Sequence, residues 1–454
     1  MLKSKTLIYL LLALPFLSIT LFSGDAVAQQ STETPIKPQL KIQKNLTDDQ
    51  LLDLVEKQTF RYFWDFGHPI SGMARERSNR SFDYGDEVVT TGGTGFGVMA
   101  TIVASERKFI TREQAAARTR KIVDFLWKAD MFHGAFPHWM NGATGKVIRF
   151  SPKDDGADIV ETSFLFQGLL TARQYYTADN AVESDIRNKI LWMWEGIEWN
   201  WFTQQQNVLY WHWSPNNGWS MNHQLKGWNE CFITYVLAAS SPKFAINKRV
   251  YDEGWANSNT FFNGKKYFGI TLPLGFDFGG PLFFTHYSFL GLDPNGLKDQ
   301  YADYFEQNKS HTLINRAYCV ENPKHYKGYG ENTWGLTASD SWQGYAAHSP
   351  TEDLGVISPT AALSAFPYTP EYSMKALKHF YFDLGDKIWG EYGFVDGFSE
   401  AHNWYAKSYL SIDQGPEICM IENYRTGLLW KLFMSSPDVK RGLNKLGIES
   451  PTLK

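Results

Sequence analysis

The sequence predicts an all-α protein whose helices close into a ring of hairpins, an (α/α)6 toroid with a few short β-hairpins in its loops. Three observations lead there. Apolar-periodic runs of helical length follow one another from residue 48 to residue 434. No low-complexity stretch or short repeat divides residues 46–454, so a single unit of about 400 residues must bury every apolar face. Some runs are apolar all round and others are amphipathic, the contrast expected between inner and outer helices of a ring.

Residues 1–28 read as a secretory signal peptide. Lys3 and Lys5 precede the apolar run 7–22, and Ala26-Val27-Ala28 is a small-x-small cleavage site. The run is short for a membrane span, which takes about 20 apolar residues, and it contains Pro15. A cleaved leader implies a periplasmic or secreted protein with no membrane attachment afterwards. Residues 29–45 are polar and read as a flexible tail, which leaves 46–454 as the one folded domain.

Asp48-Asp49-Gln50 opens the first helical run, which continues to Phe66. Runs over 95–106 and 111–130 follow, the second with Thr111 and Glu113 as start signals. Further runs cover 157–177, 182–202, 227–240, 297–318, 371–384 and 416–434. Asn141-Gly142 within 134–150 and Asn263-Gly264 within 261–270 mark two hairpins.

Hydrophobic residues make up 43% and charged residues 20%, which excludes disorder. Aromatic residues reach 16%, enough to fill a core and leave rings over to line a groove. The formal charge is −4, or −5 once Lys3, Lys5 and Asp25 leave with the leader. That balance lacks the basic footprint of a nucleic-acid or anionic-membrane binder and disfavours a polyanionic substrate. Cys231, Cys319 and Cys419 lie too far apart for a disulfide framework or a CxxC metal site. The eleven histidines show no HExxH spacing, and His133 and His138 flank Pro137 as loop residues would. No metal and no cofactor are expected. Gly92-Gly93-Thr94-Gly95-Phe96-Gly97 fails the GxGxxG spacing because Val98 stands where the third glycine is needed, so close helix packing is the expectation there.

The acids are where the pattern becomes chemical. Asp154, Asp155, Asp158 and Glu161 fall within eight residues. Helix capping accounts for one or two of them. On a helical wheel with Asp158 at zero, Glu161 falls at about −60°, Leu165 at about −20°, Leu169 at about +20° and Tyr176 near 0°. Ser163, Gln167, Thr171 and Gln174 form the opposite, polar face. Carboxylates on an apolar stripe cost several kcal/mol unless paired, protonated or at a wet cavity, which makes them candidates for proton transfer. Glu230 repeats the puzzle in the first turn of a run, 227–240, that is apolar on every side. Asp413 precedes Pro416, a residue suited to a first helical position, so it is expected in a loop facing the same cleft. Trp211, Trp213 and Trp219 surround the turn formers Pro215-Asn216-Asn217-Gly218, and such indoles can stack on sugar C–H faces.

Taken together these motifs resemble the glycoamylase-like domain of the bacterial β-1,2-glucanases, glycoside hydrolase family 144. The resemblance rests on the 92–97 glycine motif, the 154–161 acid cluster, Gly227-Trp228-Asn229-Glu230, 328–341 (GYGENTWGLTASDS) and 413–427 (DQGPEICMIENYRTG), in that order over nearly all of 46–450. It implies an (α/α)6 fold and inverting hydrolysis of β-1,2-glucan to sophorose or short sophoro-oligosaccharides. Endo action is preferred, with exo release of sophorose as the alternative. It implies that the important acids fall on Asp158, Glu161, Glu230, Asp413 and either Asp154 or its neighbour Asp155.

The expected roles follow from inverting chemistry, which needs a proton donor and a base on opposite faces of the sugar. Glu230 is the expected general acid and Asp413 the expected base, with Asp158 as its rival and Glu161 and Asp154 binding hydroxyls or tuning pKa values. Candidate substrate-binding residues are Trp211, Trp213, Trp219, Glu331, Trp334, Asp340, Trp342 and Arg425, with Asn423 and Arg425 also able to hold the Asp413 loop. The expected partner is a β-glucan, and the expected state is a monomer. A polysaccharide lyase would want a basic groove, and a non-catalytic glycan binder would not need acids on apolar faces.

Overall fold

A computed structural model describes residues 41–78 and 85–453, all within the unit that begins at Gln39. The leader expected over 1–28 and the first part of the tail expected over 29–45 lie outside the described residues. The end of that tail is tied down: Gln43 N donates to Tyr381 Oη at 2.9 Å and Ile42 packs against the core.

Helices alternate between outside and inside. The outer α1 (Asp48–Trp64) starts at a capping box in which Thr47 Oγ1 accepts from Gln50 N and the Gln50 side chain accepts from Thr47 N. The inner α2 (Thr91–Glu106) is buried from Thr91 to Ser105. The scheme repeats with α3 (Arg112–Leu126) outside and α4 (Ile159–Tyr175) inside, then α5 (Ala181–Glu195) outside and α6 (Phe232–Ser240) inside. The fourth inner position holds two 3-10 turns, Leu282–Thr285 and Tyr287–Phe289, instead of an α-helix. Outer α7 (Tyr304–Glu321) leads to inner α8 (Pro359–Ser364), and outer α9 (Pro370–Lys378) and α10 (Gly385–Ile388) lead to inner α11 (Ser411–Thr426). The closing helices α12 (Leu428–Met434) and α13 (Pro437–Leu446) cover α4 and α6.

The inner elements pack α2 on α4, α4 on α6, α6 on 287–289, and α8 on α11, which returns to α2. Leu282 N to Leu336 O (3.0 Å) and Tyr368 Oη to Thr285 O (2.9 Å) carry the step from 282–289 towards α8. Six inner positions thus close an (α/α)6 ring. The glycine motif does what its spacing suggested. A Cβ on Gly95 would stand 2.2 Å from Phe164 O, and one on Gly168 would stand 2.1 Å from Gly95 O, so only bare backbone lets α2 and α4 approach this closely.

Short antiparallel strands decorate the loops. β1 (Val88–Thr90), β2 (Trp139–Asn141) and β3 (Val147–Ile148) form one sheet. β4 (Ala157–Asp158) pairs β5 (His212–Trp213), β6 (Lys266–Tyr267) pairs β7 (Ile270–Thr271), and β8 (Ala338–Ser341) pairs β9 (Gly344–Ala347). β10 (Trp389–Gly390) with β11 (Gly393–Phe394) and β12 (Phe398–Ser399) with β13 (Trp404–Tyr405) complete the set among the described residues.

Several boundaries differ from expectation. The Asn141-Gly142 hairpin is present. The second hairpin turns at Phe268-Gly269, because Asn263 N and Gly264 N bond Pro273 O and Leu272 O and so lie along its arm. The run expected over 416–434 is two helices, broken where Gly427 adopts φ 67°. The face of α4 that reads as polar is buried: Gln167 Nε2 donates to Tyr287 O at 2.8 Å and Gln167 Oε1 accepts from Gly291 N at 2.8 Å. The three cysteines are free and buried. No described helix is long and apolar enough to cross a membrane.

Because outer and inner helices alternate up and down, every outer-to-inner connection reaches the end of the ring where inner helices begin. Segments 65–78, 85–90, 127–158, 196–231, 322–358 and 389–410 are therefore gathered at one end.

Candidate active site

The N-terminal ends of four inner elements bring the acids together at that end. Asp158 is the N-cap of α4. Its Oδ1 accepts from Val160 N and Glu161 N, both at 2.9 Å, which is the local reason an acid stands there. The carboxylate is fully buried and takes further donors from Trp211 Nε1 at 2.9 and 3.0 Å, His138 Nδ1 at 3.1 Å and His212 Nε2 at 3.5 Å. The last contact is set by strand register, since Asp158 lies directly opposite His212 in the β4–β5 pair. Burial alone would raise its pKa, but the bonds from His138 and His212 hold it well below the usual carboxylate range. Burial alone would lower the two imidazoles, but Glu161, Asp158 and Asp154 around His138, and Asp154 and Asp158 around His212, push both up to about 9. Asp158 is a fixed anion between two imidazolium ions.

Asp154 and Asp155 separate cleanly. Asp154 faces the cluster, with Oδ2 3.3 Å from His212 Nε2. Asp155 turns away to hold the 214–217 turn through Ser214 Oγ and Asn216 Nδ2, and it pairs with Arg149 at 3.3 Å. His138, Asp154 and Asp158 place possible ligand atoms within 4.8 Å of one another. The N–H groups already aimed at Asp158 make this an acid–imidazole network rather than a cradle for a cation.

Glu161 lies one turn into α4 and is 7% exposed. Its Oε2 accepts from Gly92 N at 2.7 Å and Thr90 Oγ1 at 3.3 Å, which joins the start of α2 to the start of α4. Burial raises its pKa, against the nearby His138 charge.

Glu230 does not stand in the first turn of a helix as expected. α6 begins at Phe232, because Asn229 Oδ1 caps Cys231 N at 3.0 Å and Ser288 Oγ takes Ile233 N at 3.0 Å. Glu230 sits in the turn before it, partly open, with its carbonyl held by Ser288 Oγ at 2.6 Å. Burial, helped by the charges of Asp158 and Glu161, pushes its carboxyl up to about 7.

Asp413 is likewise not in a loop. α11 starts at Ser411, whose N bonds Glu76 O at 3.0 Å, and Pro416 is tolerated inside the helix. Asp413 is in the first turn, 4% exposed, and burial pushes it up to about 7. Its carboxyl meets that of the fully buried Asp396, which burial and the Asp413 charge raise well above the ordinary range. Two carboxyls this close share a proton. Asp396 Oδ2 also accepts from Asp340 N at 2.6 Å. Asp340 itself is fully buried between Arg77 Nη1 at 2.7 Å and Ser408 Oγ, so it supports the acid pair rather than facing a ligand. Arg77 in turn is clasped by Glu76.

Tyr287, in the fourth inner position, feels the charges of both groups of acids. Its hydroxyl is buried and finds no partner among the described residues. Burial, with the charges of Asp413, Tyr345, Glu230 and Glu161, holds this hydroxyl well above the ordinary tyrosine range. Asp158, Glu161, Glu230 and Asp413 thus stand at or just before the starts of three inner helices, α4, α6 and α11.

The remaining candidates divide. Trp211 lends its N–H to Asp158, Trp213 lies edge-on to His133, and Trp219 packs against Trp201, Phe202 and Tyr210. Trp342 is exposed and stacked on His402. Glu331 is exposed and contributes its carbonyl to Arg316. Trp334 is fully buried and presents no face to a ligand. Arg425 lies at the other end of α11 from Asp413 and pairs with Asp53 and Glu56, both at 2.6 Å. Asn423 bonds Leu290 O, so neither residue holds Asp413. His138, His212, Glu76, Arg77, Asp396, Tyr287 and Tyr345 carry much of the site, yet none had a periodic signal to reveal it.

Comparison with known proteins gives consistent findings. The glycoamylase family model, described as "Putative glucoamylase", matches residues 222–437. A crystal structure of a "putative glucoamylase" from Bacteroides uniformis is 64% identical, with TM-score 0.89, over 91% of this chain and all of that one. An endo-β-1,2-glucanase from Chitinophaga pinensis, solved with sophorotriose and glucose, is 56% identical, with TM-score 0.88, over 90% of this chain and all of that one. A curated exo β-1,2-glucooligosaccharide sophorohydrolase (non-reducing end) from Parabacteroides distasonis is 48% identical over 423 residues, 88% of this chain. The match spans only 58% of the length of that relative.

Proposed function

This chain belongs to the glycoamylase-like family that includes the bacterial β-1,2-glucanases, glycoside hydrolase family 144, and from that membership and the geometry of its acids we propose that it hydrolyses β-1,2-glucan with inversion at the anomeric carbon. The observation that carries the reading is that two carboxyl sites with raised pKa values, Glu230 just before α6 and Asp413 with Asp396 at the start of α11, stand at the N-terminal ends of inner helices of one ring. Two of the relatives named above, from Chitinophaga pinensis and Parabacteroides distasonis, are named for action on β-1,2-linked glucan or glucooligosaccharide.

Glu230 is the general acid. Its raised pKa keeps the carboxyl protonated up to about neutral pH, so a proton is ready for the departing glycosidic oxygen. Asp413 is the base. The pair it forms with Asp396 holds one proton and one negative charge, and that charge takes a proton from the attacking water, directly or through a sugar hydroxyl. Water adds to C1 as the glycosidic bond breaks, and one displacement inverts the anomer. Asp158 is a poor base, because its lone pairs are filled by five donors. Its charge, with that of Glu161, instead keeps Glu230 protonated. The leader pattern at 1–28 supports placing this reaction in the periplasm or outside the cell.

The test is Glu230→Gln and Asp413→Asn assayed for new reducing ends on β-1,2-glucan. Each is expected to lower kcat by about 10²–10⁴-fold with KM little changed. Activity within a few-fold of wild type removes that residue from its role, and retention of anomeric configuration in the first product removes the inverting mechanism.

A further inference from the structure

Two tryptophans stand exposed at the rim of the ring, each laid flat on a histidine. Trp201 is 41% exposed and stacks on His133, with centroids 4.1 Å apart and planes 15° from parallel. Trp342 is 41% exposed and stacks on His402 at 4.2 Å and 28°. Both stacks are held in place. His133 Nδ1 bonds Glu198 Oε2 at 2.8 Å, and Trp342 Nε1 donates to Leu354 O at 3.1 Å.

Their positions in the ring are related. His133 belongs to the α3–α4 connection and Trp201 to the α5–α6 connection, so the first stack straddles the second and third inner positions. Trp342 belongs to the α7–α8 connection and His402 to the α10–α11 connection, so the second straddles the fifth and sixth. In a ring of six, these sites are three places apart and lie opposite each other. All four connections are at the acid-bearing end. The acids lie beside them: Asp158, Glu161 and Glu230 on the second and third positions, Asp413 on the sixth. Trp342 is also tied directly to the Asp413 side. It follows β8, whose Asp340 pairs Tyr345 one register step below the hairpin turn and donates its N–H to Asp396.

A pyranose presents a flat C–H face that a fixed, exposed indole can cover, while its hydroxyls stay in water. We propose that the Trp201–His133 and Trp342–His402 stacks are sugar-binding platforms at the two ends of the cleft, each holding a glucosyl residue of one β-1,2-glucan chain away from the bond that is cut. A chain resting on both crosses the acids and continues past them, so cleavage falls inside the chain. This rests on the β-1,2-glucan hydrolysis proposed above and deepens it to endo action with subsites on both sides.

The experiment uses Trp201→Ala and Trp342→Ala, with Trp201→Phe and Trp342→Phe as ring-retaining partners. Trp192→Ala is the control, an exposed indole on the outer helix α5. On long β-1,2-glucan each alanine variant is expected to raise KM about three- to tenfold with kcat within twofold. Each phenylalanine variant should recover most of that loss, and Trp192→Ala should match wild type. On the shortest oligosaccharide that wild type hydrolyses, the effect of at least one alanine variant should vanish, since so short a chain cannot reach both platforms. Wild type should release a ladder of oligosaccharides early. Equal KM changes on short and long substrates, no KM change at all, or disaccharide alone from the first minutes overturns the proposal. Wild type that makes no reducing ends from β-1,2-glucan overturns the underlying assignment instead.

Discussion

At the scale of single residues, the proton inventory sets the pH behaviour. Asp413 must be ionised to act as base, so activity rises as pH climbs through a value near 7. Glu230 must be protonated to act as acid, so activity falls as pH climbs through a value near 7. A narrow bell in kcat/KM centred near neutrality is expected, and a flat profile from about pH 5 to 9 would contradict both roles. Asp396 is a positioning residue in this scheme. The protonated Asp396 carboxyl donates to Asp413 and lowers its pKa against the effect of burial, so Asp396→Ala should move the acid limb to higher pH while the alkaline limb stays. A variant that loses activity with both limbs unmoved would make Asp396 merely structural. Glu230, Asp158 and Glu161 were legible in the sequence because an acid within an apolar helical run is a visible contradiction. Asp396 and Arg77 were not. Arg77 reaches Asp340 across 263 residues, and no local pattern records such a pairing.

At the scale of elements, β4–β5 and the α2–α4 contact make two separate demands. His138 and His212 have pKa values near 9 in the folded chain against about 6.5 unfolded. A raised folded pKa contributes stability that is fully present below about 6.5 and is lost as pH rises through about 9. The depressed pKa of Asp158 is the same interaction seen from its other partner and adds nothing further in this window. The melting temperature should therefore fall between pH 6.5 and 9, and His212→Gln should flatten that slope while lowering stability most at the acid end. An unchanged slope would mean that His212 is neutral in the fold. For α2 and α4, Gly95→Ala drives a methyl into the backbone of the facing helix and should cost at least about 1–3 kcal/mol in a urea titration. A cost below about 0.5 kcal/mol would show that the helices can part. Long periodic runs foretold these helices well. α8 has six residues, too few for a period, and Pro416 suggested a start that the Ser411–Glu76 anchor pre-empts.

At the scale of the whole molecule, ring closure depends on α11, which packs on both α2 and α8 and carries Asp413. A chain ending at residue 410 should show no cooperative melt by circular dichroism and no hydrolysis. A sharp transition from that fragment would mean that five inner positions suffice to fold. The ring itself was legible from the sum of apolar faces in an undivided chain. Its fourth position, built from 3-10 turns, was not, since 282–289 lacks the length that marks a helix.

The meeting of α2 with α11 also fixes a timetable. On the ribosome, about 300 residues separate the emergence of one from that of the other. At roughly 5–20 residues per second, α2 waits about 15–60 s with one greasy flank uncovered. Nascent copies of this chain should thus be steady clients of holding chaperones. The cell also cannot assemble a working hydrolase from an interrupted message, because the base arrives with the closing segment.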